Sequence, residues 1–360
     1  MAAIDLDAVI HNVKILKSRL SIPTEFCAVV KANAYGHGVA EVAPALTEVA
    51  DVFAVATSQE SVQLRGILGR EARILVLGPQ TAESMLLASE ADADIAVSTV
   101  DQFLLAVAQS RLLRIHVKVD SGMNRAGLKG LEALRAVVDS SRGNVVGLMT
   151  HFATADDMES PVFAQQLERF QQSVGEIAGR SELLIHAANT AATIRSDECH
   201  FGMVRCGIGV YGIDPLRGSL GDVGLRCALS LSSYVAQLNP VLHGEGVGYG
   251  HTFRSNEHTT LGLVPIGYGD GIHRALSNSG FVSIEGGRYP IVGNVSMDSL
   301  VVNLGRDSSV KVGAPVELLG ANVSANEMAA AAGTIAYEVL THLNSRVVRE
   351  ATRMRLPRLA

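Results

Sequence analysis

The segment Cys27-Ala-Val-Val-Lys-Ala-Asn-Ala-Tyr-Gly-His-Gly38 joins an apolar run to a polar, glycine-containing loop, and Lys31 lies at the junction. The apolar run has the composition of a buried strand. A lysine at the end of such a strand has a lowered pKa when one side is removed from water, and it can then form a Schiff base. The alternative is a lysine whose stem packs on the strand end while its ammonium stays in water.

Short apolar runs and longer segments of helical periodicity alternate from this point to about residue 207. The runs predict eight strands, at 25–31, 52–57, 73–78, 93–98, 114–120, 145–150, 183–186 and 203–207. Helices are predicted between them, for example at 79–89, 100–110, 131–140 and 161–178, with Pro79 and Pro161 in first turns. Eight strands with helical crossovers predict a (β/α)₈ TIM barrel.

Polar residues recur at the carboxyl ends of these predicted strands, where barrels of this kind carry their active sites. The loops after strands seven and eight commonly bind phosphate in this fold. Asn189-Thr190 and Gly207-Ile208 occupy those two loops, and glycine lets backbone N–H groups approach an anion closely. The polar residues at strand ends are Lys31, Lys118, Asp120, His151, His186, Asn189 and Arg205.

From about Arg226 the pattern changes to alternation without helical crossovers, which predicts a mostly antiparallel β domain. Its predicted strands are 229–238, 259–266, 281–285, 288–295, 299–304 and 315–319, followed by short helices at 325–332 and 337–343. We therefore expect two domains, a barrel at 1–225 that binds the cofactor and a carboxyl-terminal β domain at 226–360.

Composition limits the classes of partner. The net charge of −6 and the absence of Lys/Arg blocks argue against binding to nucleic acid or an anionic membrane. Hydrophobic residues make up 48% of the chain, but no uninterrupted apolar stretch of about eighteen residues occurs. Asp5 and Asp7 stand where a secretory signal needs basic residues, so we expect a cytoplasmic protein. The four cysteines form no Cys-x-x-Cys pair, and we expect no metal site.

The segment around Lys31 resembles the pyridoxal-phosphate lysine segment of alanine racemases, and the likeness extends from Ile4 to Arg346. Further segments that are similar to the family's occur in the family's order, at 53–57, 116–125, 150–156, 201–212, 248–250, 265–271, 296–298 and 334–338. The resemblance implies a pyridoxal 5'-phosphate enzyme that interconverts L-alanine and D-alanine by two-base transfer of the Cα proton through an imine with the cofactor. Bacteria use D-alanine for peptidoglycan.

The resemblance also implies roles for individual residues. Lys31 and Tyr249 would be the two catalytic bases, with His151 linking Tyr249 toward Arg205, which would face the pyridine nitrogen. The cofactor phosphate would be held by residues in four segments, namely Tyr35, Asn189 with Thr190, the backbone at Gly207 and Ile208, and Tyr337.

For the substrate, the resemblance implies that Arg125 and the backbone N–H of Met297 bind the carboxylate. Lys118, often carbamylated in relatives, would support Arg125. Tyr268 and Arg274 would line the substrate entrance. Asp298, like Lys118, would support the residues that bind the substrate. In the family the tyrosine reaches the lysine of a second subunit, which implies a homodimer with shared active sites.

Some positions depart from the family pattern and leave more than one activity open. Thr190 replaces a serine, Ser296 stands where some relatives have cysteine, and Asn294 stands where arginine is frequent. Polar groups at Asn294 and Ser296 could favour a substrate such as serine, and so a racemase of broader specificity. A related decarboxylase is also open, although Met203-Val-Arg205 and Gly248-Tyr-Gly250 match the racemase pattern. A non-catalytic pyridoxal-phosphate-binding protein is open as well, although the β domain that carries Tyr249 argues against it.

Overall fold

A computed structural model describes residues 1–21, 23–110, 112–141, 143–177 and 182–353. The chain forms two compact units, one of Ala8–Ala34 and Val39–Arg226, the other of Met1–Asp7, Tyr35–Gly38 and Cys227–Ala360. Ala178, the last residue of a predicted helix, and residues 354–360 of the predicted β domain lie outside the described ranges. The predicted domain boundary at 225/226 stays a prediction.

The larger unit is built around a closed barrel. The strands up to residue 206 are β1 (Ala2–Asp5), β2 (Glu25–Val29), β3 (Val52–Val55), β4 (Ile74–Val76), β5 (Asp94–Val97), β6 (Ile115–Lys118), β7 (Val145–Met149), β8 (Leu184–His186) and β9 (Met203–Cys206). Strands β2 to β9 are parallel neighbours in chain order, and β2 closes the barrel by pairing Glu25 with Met203 of β9. The predicted barrel is confirmed, and each predicted strand overlaps an observed one.

Helices separate the barrel strands: α1 (Leu6–Lys17), α2 (Val39–Ala45), α3 (Ser58–Leu68), α4 (Ala82–Glu90), α5 (Val100–Gln109), α6 (Leu131–Ser140), α7 (Val162–Ile177) and α8 (Thr190–Arg195). Thr57 and Thr81 cap α3 and α4 with their hydroxyls. The predicted start of α4 at Pro79 is therefore wrong, because the Thr81 cap delays the helix to Ala82. Within the described ranges no helix is long and apolar enough to cross a membrane.

Barrel strands are buried on both faces and are accordingly apolar. All four residues of β3 are buried, as are all three of β4. Against this background Lys118 and His116 in β6 and Arg205 in β9 stand out, because each is a buried polar side chain in a strand. Buried charged groups need partners, so these residues mark a site rather than a packing position.

The smaller unit is mostly antiparallel, as predicted. Its elements are β10 (Leu229–Tyr234), β11 (Gln237–Val241), β12 (Gly246–Val247), β13 (Phe253–Arg254), β14 (Thr259–Val264), β15 (Phe281–Ile284), β16 (Gly287–Pro290), β17 (Leu300–Gly305), β18 (Pro315–Leu319), α9 (Ala325–Ala332), α10 (Ala336–Thr341) and β19 (Arg349–Thr352). One sheet has the order β16-β15-β18-β10-β1-β19, and a second has the order β11-β14-β17.

Several features of this unit differ from the sequence-based expectation, among them the predicted strand 288–295, which ends at Pro290. The predicted strand 229–238 is two strands, because the N–H groups of Val235 and Ala236 bond to Ala314 and Leu263 and lead the chain from one sheet into the other. In addition, β1 pairs with β10 and β19, so the first strand of the chain belongs to the sheet of the smaller unit.

Candidate active site

The backbone after Lys31 is left-handed, which is unusual for residues other than glycine. Ala32, Asn33, Ala34 and Tyr35 all have φ between 52° and 54°, so Lys31–Tyr35 is a left-handed turn. Such a conformation costs an L-residue roughly 1–2 kcal/mol, so surrounding contacts must maintain it. The Glu60 carboxylate accepts from the backbone N–H of Ala32 at 2.6 Å, and the Asn33 amide oxygen accepts from Val39 N–H at 2.8 Å. The turn thus holds Lys31 at the carboxyl end of β2.

Lys31 lies among other cations. Burial lowers its pKa, and the positive charges of Arg125 and Arg205 lower it further, against an opposing effect of Glu60. Lys118 has the same surroundings, and burial together with Arg125 and Arg205 lowers its pKa to about 8. This end of the barrel therefore carries four cationic side chains that destabilise one another, an arrangement that favours binding of an anion.

The Arg205 guanidinium lies within hydrogen-bond distance of four acceptors, and the three around Nη2 share its two hydrogens. Its Nη1 lies 2.9 Å from Nδ1 of His186. Its Nη2 lies 2.8 Å from the carbonyl oxygen of Thr150, 3.0 Å from that of Ala187 and 3.3 Å from Nδ1 of His151. Burial lowers the pKa of Arg205 to about 10, which leaves the guanidinium protonated at neutral pH. Arg205 is thus fixed by several contacts at the carboxyl end of the barrel.

The contact with His186 begins a row of hydrogen bonds with a fixed direction. Because arginine can only donate, Nδ1 of His186 must accept, and its Nε2 must carry the proton. That Nε2 lies 2.8 Å from Nδ1 of His116, and Nε2 of His116 lies 3.2 Å from Oδ2 of Asp94. The row therefore runs Arg205 to His186 to His116 to Asp94, with both imidazoles neutral. Burial, followed by the charge of Arg205, lowers the pKa of His186 well below its usual value, which agrees with this assignment.

Arg125 lies on the loop after β6. The Asp120 carboxylate accepts from Gly122 and Asn124 N–H, both at 3.0 Å, and so shapes that loop. Gly127 is required there, since a Cβ would come within 2.5 Å of the Asp120 nitrogen. Among the described residues the exposed Arg125 guanidinium has no hydrogen-bond or ion-pair partner. A cation held on a shaped loop with unused donors is suited to binding a carboxylate.

The loops after β8 and β9 meet at Thr190. Its hydroxyl oxygen accepts from the N–H of Gly207 at 3.1 Å and of Gly209 at 3.3 Å. The Asn189 side chain instead caps α8 by accepting from Ala192 N–H at 3.0 Å. Ile208 begins a buried 3-10 turn, Ile208–Tyr211. The predicted phosphate loops are thus joined by hydrogen bonds, and their N–H groups lie together.

In the smaller unit, Tyr249 begins the 3-10 turn Tyr249–His251, which Gly248 enters at φ 64°. The Asn294 amide donates to the Tyr249 carbonyl at 2.7 Å and so fixes this turn. The tyrosine itself is 76% exposed. Tyr249 is therefore presented outward on a braced turn.

Two further tyrosines of the smaller unit, Tyr35 and Tyr337, form a pair whose ring centroids lie 6.1 Å apart. Between Tyr35 and His37, Gly36 passes so close to α10 that a Cβ would come within 2.1 Å of the Leu340 carbonyl oxygen. The two predicted phosphate ligands of this unit are thus brought together.

Tyr268, Met297 and Asp298, predicted substrate-side residues of the smaller unit, lie on two segments joined by hydrogen bonds. The Ser296 and Met297 carbonyls accept from Tyr268 N–H at 3.0 Å and Gly269 N–H at 2.8 Å. Asp298 forms an ion pair with Arg346 at 2.8 Å. Arg274 is exposed and begins the next 3-10 turn, Arg274–Leu276.

Sequence reasoning missed three residues that hold the site together, Glu60, Asp94 and His116. His116 could have been found, because it lies two positions before Lys118 in a strand and so shares its face. Asp94 and Glu60 could not, since their contacts depend on strand register and on the left-handed turn.

A parallel barrel with a lysine of lowered pKa, a buried arginine and clustered N–H groups at its carboxyl end defines a class, the barrel enzymes that bind a phosphorylated cofactor. Comparison with known protein families identifies the member of that class. The alanine racemase N-terminal domain matches residues 4–215, and the alanine racemase C-terminal domain matches residues 228–351. The chain belongs to the alanine racemase family, whose members are pyridoxal-phosphate-dependent isomerases.

Individual relatives agree with this assignment. The alanine racemase of Streptococcus uberis is 39% identical over 97% of this chain and 96% of that protein. The crystal structure of the biosynthetic alanine racemase from Pseudomonas aeruginosa is 37% identical, with a TM-score of 0.91 over 98% of this chain and 99% of that one. The alanine racemase from Bartonella henselae, solved with covalently bound pyridoxal phosphate, is 28% identical, with a TM-score of 0.90 over 98% of this chain and 99% of that chain.

Proposed function

We propose that this chain interconverts L-alanine and D-alanine with pyridoxal phosphate, and that Lys31 and Tyr249 exchange the α-proton on opposite faces of the substrate. The observation that carries the proposal is Lys31, held on a strained turn at the carboxyl end of β2 with its pKa lowered. A lowered pKa increases the fraction of neutral amine, which is the form that bonds to a carbonyl or accepts a proton.

The residues present fit this cofactor. Pyridoxal phosphate is an aldehyde with a phosphate and a pyridine ring. It needs an amine to bond the aldehyde carbon, N–H and hydroxyl donors for the phosphate, and a polar group that faces the ring nitrogen. Lys31 would supply the amine, and Arg205 would face the ring nitrogen. The loops joined at Thr190 would supply the phosphate donors by exchanging their internal hydrogen bonds for bonds to the phosphate. An anionic cofactor would also relieve the mutual repulsion of the four cations at this end of the barrel.

Pyridoxal phosphate, when bound, withdraws electrons from the α-carbon of the amino acid and acidifies its proton. On one face the neutral amine of Lys31 would take up that proton and its ammonium form would return it. On the other face the phenolate of Tyr249 would take up the proton and the phenol would return it. Arg205 would face the ring nitrogen, and because a guanidinium keeps its protons, it donates a hydrogen bond and leaves that nitrogen unprotonated. This restricts the charge that the ring can take up, which disfavours transamination.

His151 supports the tyrosine in this proposal. Its Nδ1 accepts from Arg205, so its Nε2 carries a proton that can be donated. Burial, then the charge of Arg205, lowers the pKa of His151 well below its usual value, so the ring stays neutral. A neutral imidazole that donates to the Tyr249 oxygen would stabilise the phenolate, since a free tyrosine has a pKa of about 10.

Arg125 and the Met297 N–H would bind the substrate carboxylate. We assign Lys118 as a carbamate, because its pKa of about 8 provides a neutral amine for reaction with carbon dioxide. The carbamate would carry a negative charge beside Arg125 and Arg205, in place of the like charge that the ammonium brings. Tyr268, Arg274 and Asp298 would line and brace the substrate entrance.

The side chains that suggested serine as a substrate are already in use. The Asn294 amide donates to the Tyr249 carbonyl. The Ser296 hydroxyl donates to the Ser299 carbonyl at 2.7 Å. One N–H of the Asn294 amide and the hydroxyl proton of Ser296 are therefore engaged in internal bonds, which disfavours their use as donors to a substrate hydroxyl.

The proposed enzyme is a homodimer in which Tyr249 of one copy completes the site that holds Lys31 of the other, and the exposure of Tyr249 supports this. We assign it to the cytoplasm, where the free thiols of Cys27, Cys199 and Cys206 would stay reduced, and where D-alanine would supply peptidoglycan synthesis.

Proton exchange tests the reaction. Purified protein with pyridoxal phosphate in deuterium oxide should remove the α-proton signal of L-alanine from the NMR spectrum and leave that of L-serine. Loss of the serine signal at a comparable rate would replace the proposal with a racemase of broader specificity. No loss from any amino acid would leave a cofactor-binding protein.

Mixed dimers test the shared site. Lys31→Ala and Tyr249→Phe should each be inactive alone, but a refolded equal mixture should regain about one quarter of wild-type activity, because half the dimers contain one intact site. Tyr234→Phe, another exposed tyrosine of the same unit, is the control and should keep full activity. A mixture that stays inactive would show that both bases come from one subunit.

A further inference from the structure

Three side chains of the smaller unit form a cluster that the racemase mechanism does not use. They are His273, Glu338 and His342, and one ligand atom from each lies within 4.8 Å of the others. His273 lies between the 3-10 turns Tyr268–Asp270 and Arg274–Leu276. Glu338 lies in α10 and His342 at its carboxyl-terminal cap, four residues apart and so on one face of the helix. The cluster therefore spans two segments that are distant in sequence.

The hydrogen bonds around the cluster leave ligand atoms available. Nδ1 of His342 lies 3.1 Å from the Glu338 carbonyl oxygen, to which it must donate, so Nε2 carries a lone pair. A backbone carbonyl that fixes the tautomer of a histidine is a common companion of metal ligation. Oε2 of Glu338 accepts the Thr334 hydroxyl. Two of the three ligands are thus already oriented.

His273 supplies a second observation. Its Nε2 is buried and has no hydrogen-bond partner within the described residues. Packing of the two imidazoles, whose centroids lie 4.3 Å apart at 51°, explains the position of the rings but not this nitrogen. A buried polar atom without a partner needs an explanation, and coordination of an ion is one.

We propose that His273, Glu338 and His342 bind one divalent transition-metal ion of the zinc class, with water completing its coordination. Two imidazoles and one carboxylate form a common ligand set for zinc, whereas magnesium and calcium prefer oxygen ligands alone. The bound ion joins the segment that carries Tyr268 and Arg274 to the helix that carries Tyr337. It acts as a cross-link in the smaller unit.

Zinc binding to the tag-free, cofactor-loaded protein tests this site. Equilibrium dialysis followed by elemental analysis should find one zinc ion per chain, and zinc should raise the thermal midpoint. His342→Ala and Glu338→Gln should each weaken binding by about 100-fold or more, since loss of an outer partner alone costs 10–100-fold. His258→Ala, an exposed histidine of the same unit, should bind zinc as the wild type does.

Two results would overturn the proposal. One is the absence of zinc binding by the folded wild-type protein. The other is zinc binding that survives unchanged in His342→Ala, which would assign the ion to other groups. Because His342 is exposed, its replacement should leave the fold intact, and circular dichroism of the metal-free variant checks this. Cobalt(II) gives an independent readout, because its visible spectrum should report nitrogen and oxygen ligands only in proteins that keep the cluster.

Discussion

Replacing Asp94 with asparagine should weaken the barrel in a way that its neighbour Asp92 does not reproduce. Asp94 accepts from His116 through Oδ2 at 3.2 Å and from Arg114 Nε through Oδ1 at 2.6 Å. An amide has only one acceptor oxygen. If it faces His116, the NH₂ group faces Arg114, and donor meets donor. If it is reversed, His116 must change tautomer and then meets the Nε2–H of His186.

The size of the effect follows from these contacts. A hydrogen bond to a charged group contributes about 1.5–3 kcal/mol and a neutral one about 0.5–1.5 kcal/mol, so the His116 bond loses about 1–1.5 kcal/mol. The half-exposed Arg114 pair adds less than about 1 kcal/mol. We expect a total loss of about 2 kcal/mol for Asp94→Asn. Asp92→Asn loses only an exposed pair with the same arginine, so it should cost less than about 1 kcal/mol.

The loss should also depend on pH. Burial raises the pKa of Asp94, but the hydrogen bonds from His116 and Arg114 and the charge of Arg114 more than offset this, so the pKa is lowered overall. A lowered folded-state pKa gives stability above the unfolded value of about 3.9, and that stability disappears as the pH falls through the folded value. The difference between wild type and Asp94→Asn should therefore be full at neutral pH and narrow below about pH 4.

Urea unfolding followed by circular dichroism, on both variants and across this pH range, measures the difference. The reasoning is refuted if Asp94→Asn costs no more than Asp92→Asn at neutral pH. It is also refuted if the difference keeps its size in acid. If Asp94→Asn also lowers kcat and leaves KM unchanged, the row of hydrogen bonds positions Arg205 for the chemical step.

Three further predictions concern the larger unit, which contains the barrel. Thr190→Val should lower the free energy of unfolding of the apoprotein, measured in urea, by about 2 kcal/mol or more, because two buried N–H groups lose their acceptor. Thr190→Ser keeps the hydroxyl and should cost less than about 1 kcal/mol, and equal losses in the two variants would contradict the role of the hydroxyl. Carbamylation of Lys118 from labelled bicarbonate, followed by mass spectrometry, should become faster as the pH rises through 8, since the pKa of Lys118 is lowered to about 8 from 10.5. A rate that rises only above pH 10 would contradict the lowered pKa. Ala32→Gly should raise the stability by about 0.5–1 kcal/mol, because glycine adopts the φ of 52° at this position without strain. Ala108→Gly, in the right-handed helix α5, should lower the stability by about 1 kcal/mol. A loss of stability in both variants would argue against the left-handed turn.

The barrel could be predicted because its signal is local. Each strand is a short apolar run between helical segments, and Lys118 and Arg205 are conspicuous as charges within such runs. Contacts that depend on tertiary structure could not be predicted. β1 has the sequence of an ordinary amino-terminal segment, yet it pairs with β10 and β19, and no local pattern encodes that choice. The division of 229–238 depends likewise on the carbonyls of Ala314 and Leu263.

The site shows the same division between local and distant information. Lys31, Arg125 and Tyr249 are predicted from motifs in which the residue and its neighbours are contiguous. The row from Arg205 to Asp94 crosses the barrel, and the cluster of His273, Glu338 and His342 joins two separate segments. Such groups become neighbours only when the strands are closed and the loops are placed, so sequence spacing carries no signal for them.

The turn after Lys31 has one chemical consequence that concerns chirality itself. A left-handed helical backbone is the mirror image of the ordinary helix, so it is the relaxed conformation for a residue of D configuration. The exposed Ala32 is an L-alanine held in the geometry that its enantiomer prefers. In an enzyme proposed to make D-alanine, semisynthesis with the product in place of residue 32 would remove the backbone strain there without changing a single side-chain atom type.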